Sequence, residues 1–192
     1  IDLNVSTIVL SNNKKYKSIN KEKRIKKTTR KLKLLQRKSS RRYINALNNK
    51  KKLKEAKNFI KIKKLVRKCY RRLSNLRDDY INKVVDDILY KPPKRIVIET
   101  LDINSMQQNK KISSLIQISS FRKFITKLKE RCNKQNIEVK EADRYYPSSK
   151  MCSKCKNIKS KLLLSERVYK CSICNNKINR DLNAAINLAN YI

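Results

Sequence analysis

Cys152, Cys155, Cys171 and Cys174 place the strongest chemical constraint on this chain. They form two C-x2-C pairs separated by fifteen residues, a spacing that reads as a zinc site. Each C-x2-C turn aims two thiolates at one point, and two such turns complete a tetrahedral shell. Four thiolates leave no open position for water, so the ion would be structural. The alternatives are two disulfides or scattered free thiols, but nothing else in the sequence looks secreted. The chain contains no histidine, so a zinc site here has only cysteines as soft ligands. Ser-His hydrolases, His-dependent nucleases and His-containing integrase zinc modules are excluded on the same ground. Hydrolysis of a phosphodiester by this chain would therefore have to use carboxylates and metal ions. Glu99 is one candidate. It closes the apolar run Ile96-Val97-Ile98, and a carboxylate at the end of a buried strand is costly unless paired or metal-bound. The alternative is a solvated strand-end glutamate.

The elements that would position these groups follow from periodicity. The stretch from Ile1 to Ile19 alternates loosely, with Val5, Ile8, Val9 and Leu10 and an Asn12-Asn13 turn, and predicts the first strands of a sheet. From about Lys21 to Tyr90 the chain is strongly basic and free of proline and glycine. Leu32, Leu35, Ser39, Tyr43 and Ala46 share a helical face. Phe59, Ile62, Val66, Cys69, Leu73, Leu76 and Tyr80 recur at alternating steps of three and four. Two long helices in an antiparallel hairpin, joined through Asn48 to Lys52, would bury both seams. Lys91-Pro92-Pro93 ends the second helix, and Ile96 to Ile98 reads as a strand covered on both faces.

Gln107 to Ser120 reads as a loop. Phe121, Phe124, Ile125, Leu128 and Cys132 then mark an amphipathic helix, and Cys69 and Cys132 read as core thiols. Ile137 to Glu141 alternates as a strand, followed by Asp143. Leu162 to Leu164 and Val168-Tyr169 read as short strands around the cysteines, and Leu182, Ala185, Ile186 and Ala189 as the packing face of the last helix.

A formal charge of +36 points to a polyanionic partner, of which nucleic acid is the commonest. An AT-rich coding bias would explain the excess of lysine over arginine. It does not explain why acidic residues number only 15. No apolar run approaches the roughly 18 residues of a membrane span, and no signal peptide is visible. The expectation is an intracellular protein, cytoplasmic or, in a eukaryotic host, nuclear, with reduced cysteines. With no methionine at position 1, the chain reads as a piece of a longer reading frame.

PSSKMCSKC, CSIC and NRDLNAAINLA together resemble the C-terminal signature of the TnpB family. These OrfB-like proteins are transposon-encoded, RNA-guided DNA nucleases related to compact type V CRISPR effectors. The resemblance implies an α/β fold: an RNase H-like (RuvC) mixed sheet carrying a long helical-hairpin insertion and an inserted four-cysteine zinc ribbon. It would divide the chain into a split nuclease domain (1–20, 91–149 and 176–192), a basic helical insertion (21–90) and the ribbon (150–175).

The resemblance also implies a catalytic triad in the order D…E…D. IDLN matches the family's first motif at Asp2, IVIETLDINSM its second at Glu99, and the Asp of RD-x-NAA is Asp181. Thr100 departs from the usual residue after the glutamate. Asp102 is a nearby decoy, and Asp181 could instead cap the last helix. Three such carboxylates can hold two Mg²⁺ or Mn²⁺ ions about 3.5–4 Å apart for phosphodiester hydrolysis. Arg180 could neutralise a phosphate. The implied partners are DNA and a guide RNA.

Lys156 and Asn175 stand where glycine usually follows the second cysteine of each knuckle. A left-handed lysine there would cost about 1 kcal/mol. The N-terminal half of the family is absent from the sequence, and with only Ile1 before Asp2 the first strand is expected to be loosely held, making cleavage by this chain weak or absent. Two other readings remain open: an inactive nucleic-acid-binding remnant of a transposon protein, and a zinc-ribbon protein with a basic helical arm.

Overall fold

The alternating residues at the start of the chain do form short strands. The computed structural model describes residues 1–4, 7–50, 52–108, 113, 120–163 and 165–192. In it β1 (Asp2–Leu3), β2 (Thr7–Val9) and β3 (Lys15–Lys17) make an antiparallel meander, with Asp2 opposite Val9 and Ile8 opposite Tyr16. Asn13, at φ 66°, takes the left-handed turn before β3, a conformation that asparagine tolerates better than most residues. The first strand is not loosely held. Ile1, Asp2 and Leu3 are all buried, and the Ile1 nitrogen donates to Val97 O at 2.6 Å.

The chain divides into two compact units, one of residues 1–18 with 83–192 and the other of residues 19–82. In the second, a 3-10 turn (Ile19–Lys21) leads into α1 (Lys23–Asn48), and α2 (Lys57–Leu89) begins after an eight-residue connection, Asn49 to Ala56. That connection is longer than Asn48 to Lys52, because Ala56 is the first residue after Asn48 whose carbonyl starts a new helical ladder, accepting from Ile60. The α2 seam is as its period predicts: Ile62, Cys69 and Leu73 are buried and Phe59, Val66, Leu76 and Tyr80 partly so. The α1 face is broader at its start, where Ile25 and Thr28 join Leu32 in the core, while Tyr43 stays 41% exposed and packs its ring against Phe59. Gln36 Nε2 donates to Tyr70 OH at 2.7 Å and Arg42 to Asn58 O at 2.8 Å. These pairings descend on one helix as they ascend on the other, so the two run antiparallel.

In the first unit, Val84, Val85, Ile88 and Leu89 at the end of α2 are buried. The helix stops before Pro92-Pro93. β4 (Arg95–Glu99) and β5 (Glu138–Ala142) pair in parallel, from Arg95 opposite Glu138 to Glu99 opposite Ala142. A parallel pair needs a long crossover, here α3 (Ile103–Gln108) and α4 (Phe121–Lys134). The expected loop is thus helical up to Gln108, and most of the remainder lies outside the described residues. Phe121, Phe124, Leu128 and Cys132 form the buried face of α4 as expected, and both core thiols are buried. Among the described residues, antiparallel and parallel pairings occur in separate ladders rather than in one continuous mixed sheet. The Ile1–Val97 bond joins the start of β1 to β4.

β6 (Val168–Lys170) pairs antiparallel with β7 (Lys177–Asn179), and α5 (Arg180–Ala189) follows directly. Leu162 and Leu163 are not in a strand, contrary to expectation, and Leu164 lies outside the described residues. The partner of β6 is β7 because the second C-x2-C turn is itself the hairpin loop between them. No helix among the described residues is long and apolar enough to cross a membrane.

Candidate functional site: a cysteine cluster and three carboxylates

Each knuckle is a tight turn flanked by paired backbone. Cys152 N donates to Asn157 O at 2.8 Å, and Cys171 N to Asn176 O at 2.9 Å. Lys156 (φ 63°) and Asn175 (φ 55°) both take the left-handed conformation expected after the second cysteine. The turns bring Cys152 Sγ within 3.6 Å of Cys174 Sγ, and Cys155 Sγ within 3.5 Å of Cys171 Sγ. All four ligand atoms lie within 4.8 Å of one another. Thiolates about 2.3 Å from a central ion would sit at comparable separations, so these four cysteines can hold a metal ion such as zinc.

The electrostatics agree. Burial opposes ionisation of Cys152, yet the amides of Cys155 and Lys154 and the neighbouring thiols bring it down to about 6. The Asn157 amide favours the Cys155 thiolate, but burial and three adjacent sulfurs push it up to about 12. Four sulfurs this close cannot all ionise unless a cation joins them. Beneath them Tyr169 is fully buried, its hydroxyl donating to Lys150 O at 3.0 Å.

The three expected carboxylates lie on three separate elements, and the charges of Glu99 and Asp181 act on Asp2. Asp2 leaves β1, Glu99 ends β4, and Asp181 sits in the first turn of α5. Asp2 is 8% exposed. Its pKa is pushed up to about 7 by burial first, then by the negative charges of Glu99 and Asp181, against a hydrogen bond from Asn4 Nδ2 at 3.3 Å. Burial likewise raises Glu99. Asp181 is not the helix cap: Asn179 Oδ1 accepts from Leu182 N at 3.2 Å, which leaves the aspartate side chain available. Among the described residues the cysteines are the one group of potential metal ligands drawn within 4.8 Å, so the three carboxylates are more widely spread.

A carboxyl raised on folding favours the native state while protonated. That contribution is complete below the unfolded value of 3.8 and is lost as pH rises towards about 7. Asp2→Asn removes the ionisable group and keeps an acceptor for Asn4. It is expected to raise stability at pH 8, without divalent ions, on the order of 2–4 kcal/mol. Thermal melts of both proteins at pH 4 and pH 8 check this, with the difference expected only at the higher pH.

Other side chains have different fates. Asp102 accepts from Ser105 N at 3.0 Å and from Arg144 Nη2 at 2.7 Å, so it caps α3 and pairs with arginine. Thr100 Oγ1 donates to Ala142 O at 2.6 Å and ties the ends of β4 and β5. Arg180 donates from Nη1 to Leu163 O at 3.1 Å and Glu166 O at 3.5 Å, gripping the segment before β6.

The expected face of α5 is wrong in part. Ala185 is buried, but Ala189 is exposed, and fully buried Asn183 and Asn187 take a face of their own. Asn183 accepts from Ser153 N at 2.9 Å and donates to Met151 O at 2.7 Å. Asn187 donates to Ser148 O at 2.8 Å and Met151 O at 2.6 Å. Their i, i+4 spacing among alanines was the available signal. In the helical unit, a groove of about 420 Å³ is lined by Lys27, Lys31, Lys68 and Arg72 over Thr28, Leu35 and Cys69.

Residues 121–188 match the family model described as Cas12f1-like, TNB domain. A protein of Streptomyces pristinaespiralis named "Putative RNA-guided DNA endonuclease" is 29% identical over 137 residues, which is 71% of this chain and 34% of that protein. A Mycobacterium tuberculosis protein named "Putative RNA-guided DNA endonuclease MT2953" is 29% identical over 133 residues, covering 65% and 28%. The chain thus spans about a third of the length of the curated relatives it matches. Its fold resembles that in a Cas12f1-sgRNA-target DNA complex, with TM-score 0.53, 18% identity and 92% of this chain against 44% of that one. It also resembles a CRISPR-Cas12f ternary complex, with TM-score 0.51, 23% identity and coverage of 83% and 33%. Over residues 121–188 the chain is thus similar to the Cas12f1-like TNB domain, in sequence it is similar to proteins named as RNA-guided DNA endonucleases, and in fold it is similar to the Cas12f structures.

Proposed function

We propose that this chain is the RuvC, RNase H-like portion of a transposon-associated, RNA-guided DNA endonuclease, with a zinc ribbon at its four cysteines. The observation that supports this reading is the buried Asp2, whose carboxyl is raised first by its burial and then by the charges of Glu99 and Asp181. The Glu99 and Asp181 charges disfavour ionisation of Asp2, the Ile1 ammonium and the Asn4 amide offset this in part, and a bound cation would offset it further. The donor set of the three carboxylates is hard oxygen, which suits Mg²⁺ or Mn²⁺. Three such carboxylates can hold a pair of ions.

When bound, such ions supply an activated water and stabilise the leaving oxygen of a DNA phosphodiester. The chain's own part is to hold the carboxylates: Asn4 orients Asp2, the Thr100–Ala142 bond fixes the strand end at Glu99, and Asn179 caps the helix that carries Asp181. Burial of Asp2 keeps the site partly dry. Arg180, spent on carbonyls before β6, serves the ribbon more than a phosphate. The test is direct: Mn²⁺ titration of the chain, with binding expected in the wild type and lost in Glu99→Ala.

The basic helical hairpin, with its cationic groove, suits a phosphate backbone, and DNA and a guide RNA are the proposed partners. Backbone neutralisation releases counterions, so affinity falls steeply with salt. Between 50 and 200 mM salt, binding of either nucleic acid by this chain is expected to weaken by roughly 10²-fold or more. A filter-binding titration across salt concentrations checks it, and a flat response would count against electrostatic tracking.

A further inference from the structure

The carboxylate and the metal knuckle share α5, and the helix divides them by face. Successive residues on a helix are turned by about 100°. Asp181 therefore lies with Ala184, Ala185 and Leu188, and Leu188 packs on Val97 and Ala142 of the sheet. Asn183 and Asn187, four apart, lie on a different face, and both side chains are fully buried. They grip the backbone that leads into the first knuckle: Ser148 O, Met151 O and Ser153 N, on either side of Cys152. Arg180 adds a second grip, on Leu163 O and Glu166 O. The second knuckle runs through β7 directly into α5. The first turn of α5 is thus held from both halves of the cysteine site.

We propose that Asn183 and Asn187 are positioning residues that couple the two centres. Metal held by the cysteines fixes the Met151–Ser153 backbone, the asparagines pass that order to α5, and Asp181 is thereby set opposite Asp2 and Glu99. This rests on the acidic-site reading above. Its thermodynamic consequence is reciprocal: ion binding at the cysteines and divalent binding at the carboxylates favour each other. The occupied ribbon acts as a splint for a ligand it never touches.

The experiment uses the full 192-residue chain, loaded with zinc or stripped by a chelator, and reads two quantities. Hydrogen exchange of the Arg180, Asp181 and Leu182 amides reports order in α5, and titration with Mn²⁺ reports the acidic site. In the wild type, stripping is expected to cut amide protection and weaken Mn²⁺ binding about tenfold or more. The Asn183→Ala/Asn187→Ala variant, with zinc content unchanged, should already show both losses, and stripping it should add little. Asn183→Asp, which keeps the acceptor for Ser153 N but loses the donor to Met151 O, should fall between. A zinc-loaded double-alanine variant with wild-type protection and Mn²⁺ affinity would overturn the coupling. So would a wild type whose protection ignores stripping. If the wild type binds no Mn²⁺ at all, the acidic-site reading fails, and the exchange data still decide whether the asparagines transmit order from the cysteines.

Discussion

Cys171→Ser is expected to reduce zinc from about one ion per chain to almost none. A serine hydroxyl is a poor zinc ligand, and the remaining three sulfurs lose the closed tetrahedral shell. The loss reaches beyond the metal, because metal binding and folding are one equilibrium in a unit this small. β6 and β7 are three residues each, and the core between the knuckles is little more than Tyr169 with Cys152 and Cys171, flanked by Leu162 and Ile178. The ribbon should therefore loosen while the hairpin of α1 and α2, whose seams owe nothing to the metal, keeps its helical signal. Metal analysis of the reduced protein, with circular dichroism, checks both parts. A zinc-free wild type would sink the metal assignment. The variant should lose protection from proteolysis around residues 150–175.

The second large effect concerns chemistry. In a chain of the relatives' full length, supplied with a guide RNA and Mg²⁺ or Mn²⁺, Glu99→Ala or Asp181→Ala is expected to reduce DNA cleavage by roughly 10³-fold or more. Nucleic-acid affinity should stay nearly unchanged. The carboxylates hold ions and repel phosphates, so removing one costs the ions and spares the lysines and arginines that provide affinity. Asp102→Ala is the control: its partners are Ser105 N and Arg144, so cleavage should persist. Undiminished cutting by Glu99→Ala would refute the proposed triad and favour a nucleic-acid-binding protein without catalysis.

The sequence by itself determined whatever depends on local spacing. Two C-x2-C turns announce a shared ion because each needs only its own four residues to aim two thiolates. The left-handed positions of Lys156 and Asn175 follow from the same local geometry. The α2 seam and the buried face of α4 were legible because period reports burial along one element, and the strand closed by Glu99 because its apolar run is continuous. The tertiary structure decided the rest. Asp2, Glu99 and Asp181 lie far apart in the chain, and only the tertiary packing brings the charges of Glu99 and Asp181 to bear on Asp2. The face of α5 was misread because periodicity counts apolar residues, while Asn183 and Asn187 are buried for their hydrogen bonds to another segment. A buried amide is stable only where its partners are, and those partners, the backbone groups around Cys152, come from a loop that no local pattern could bring to the helix.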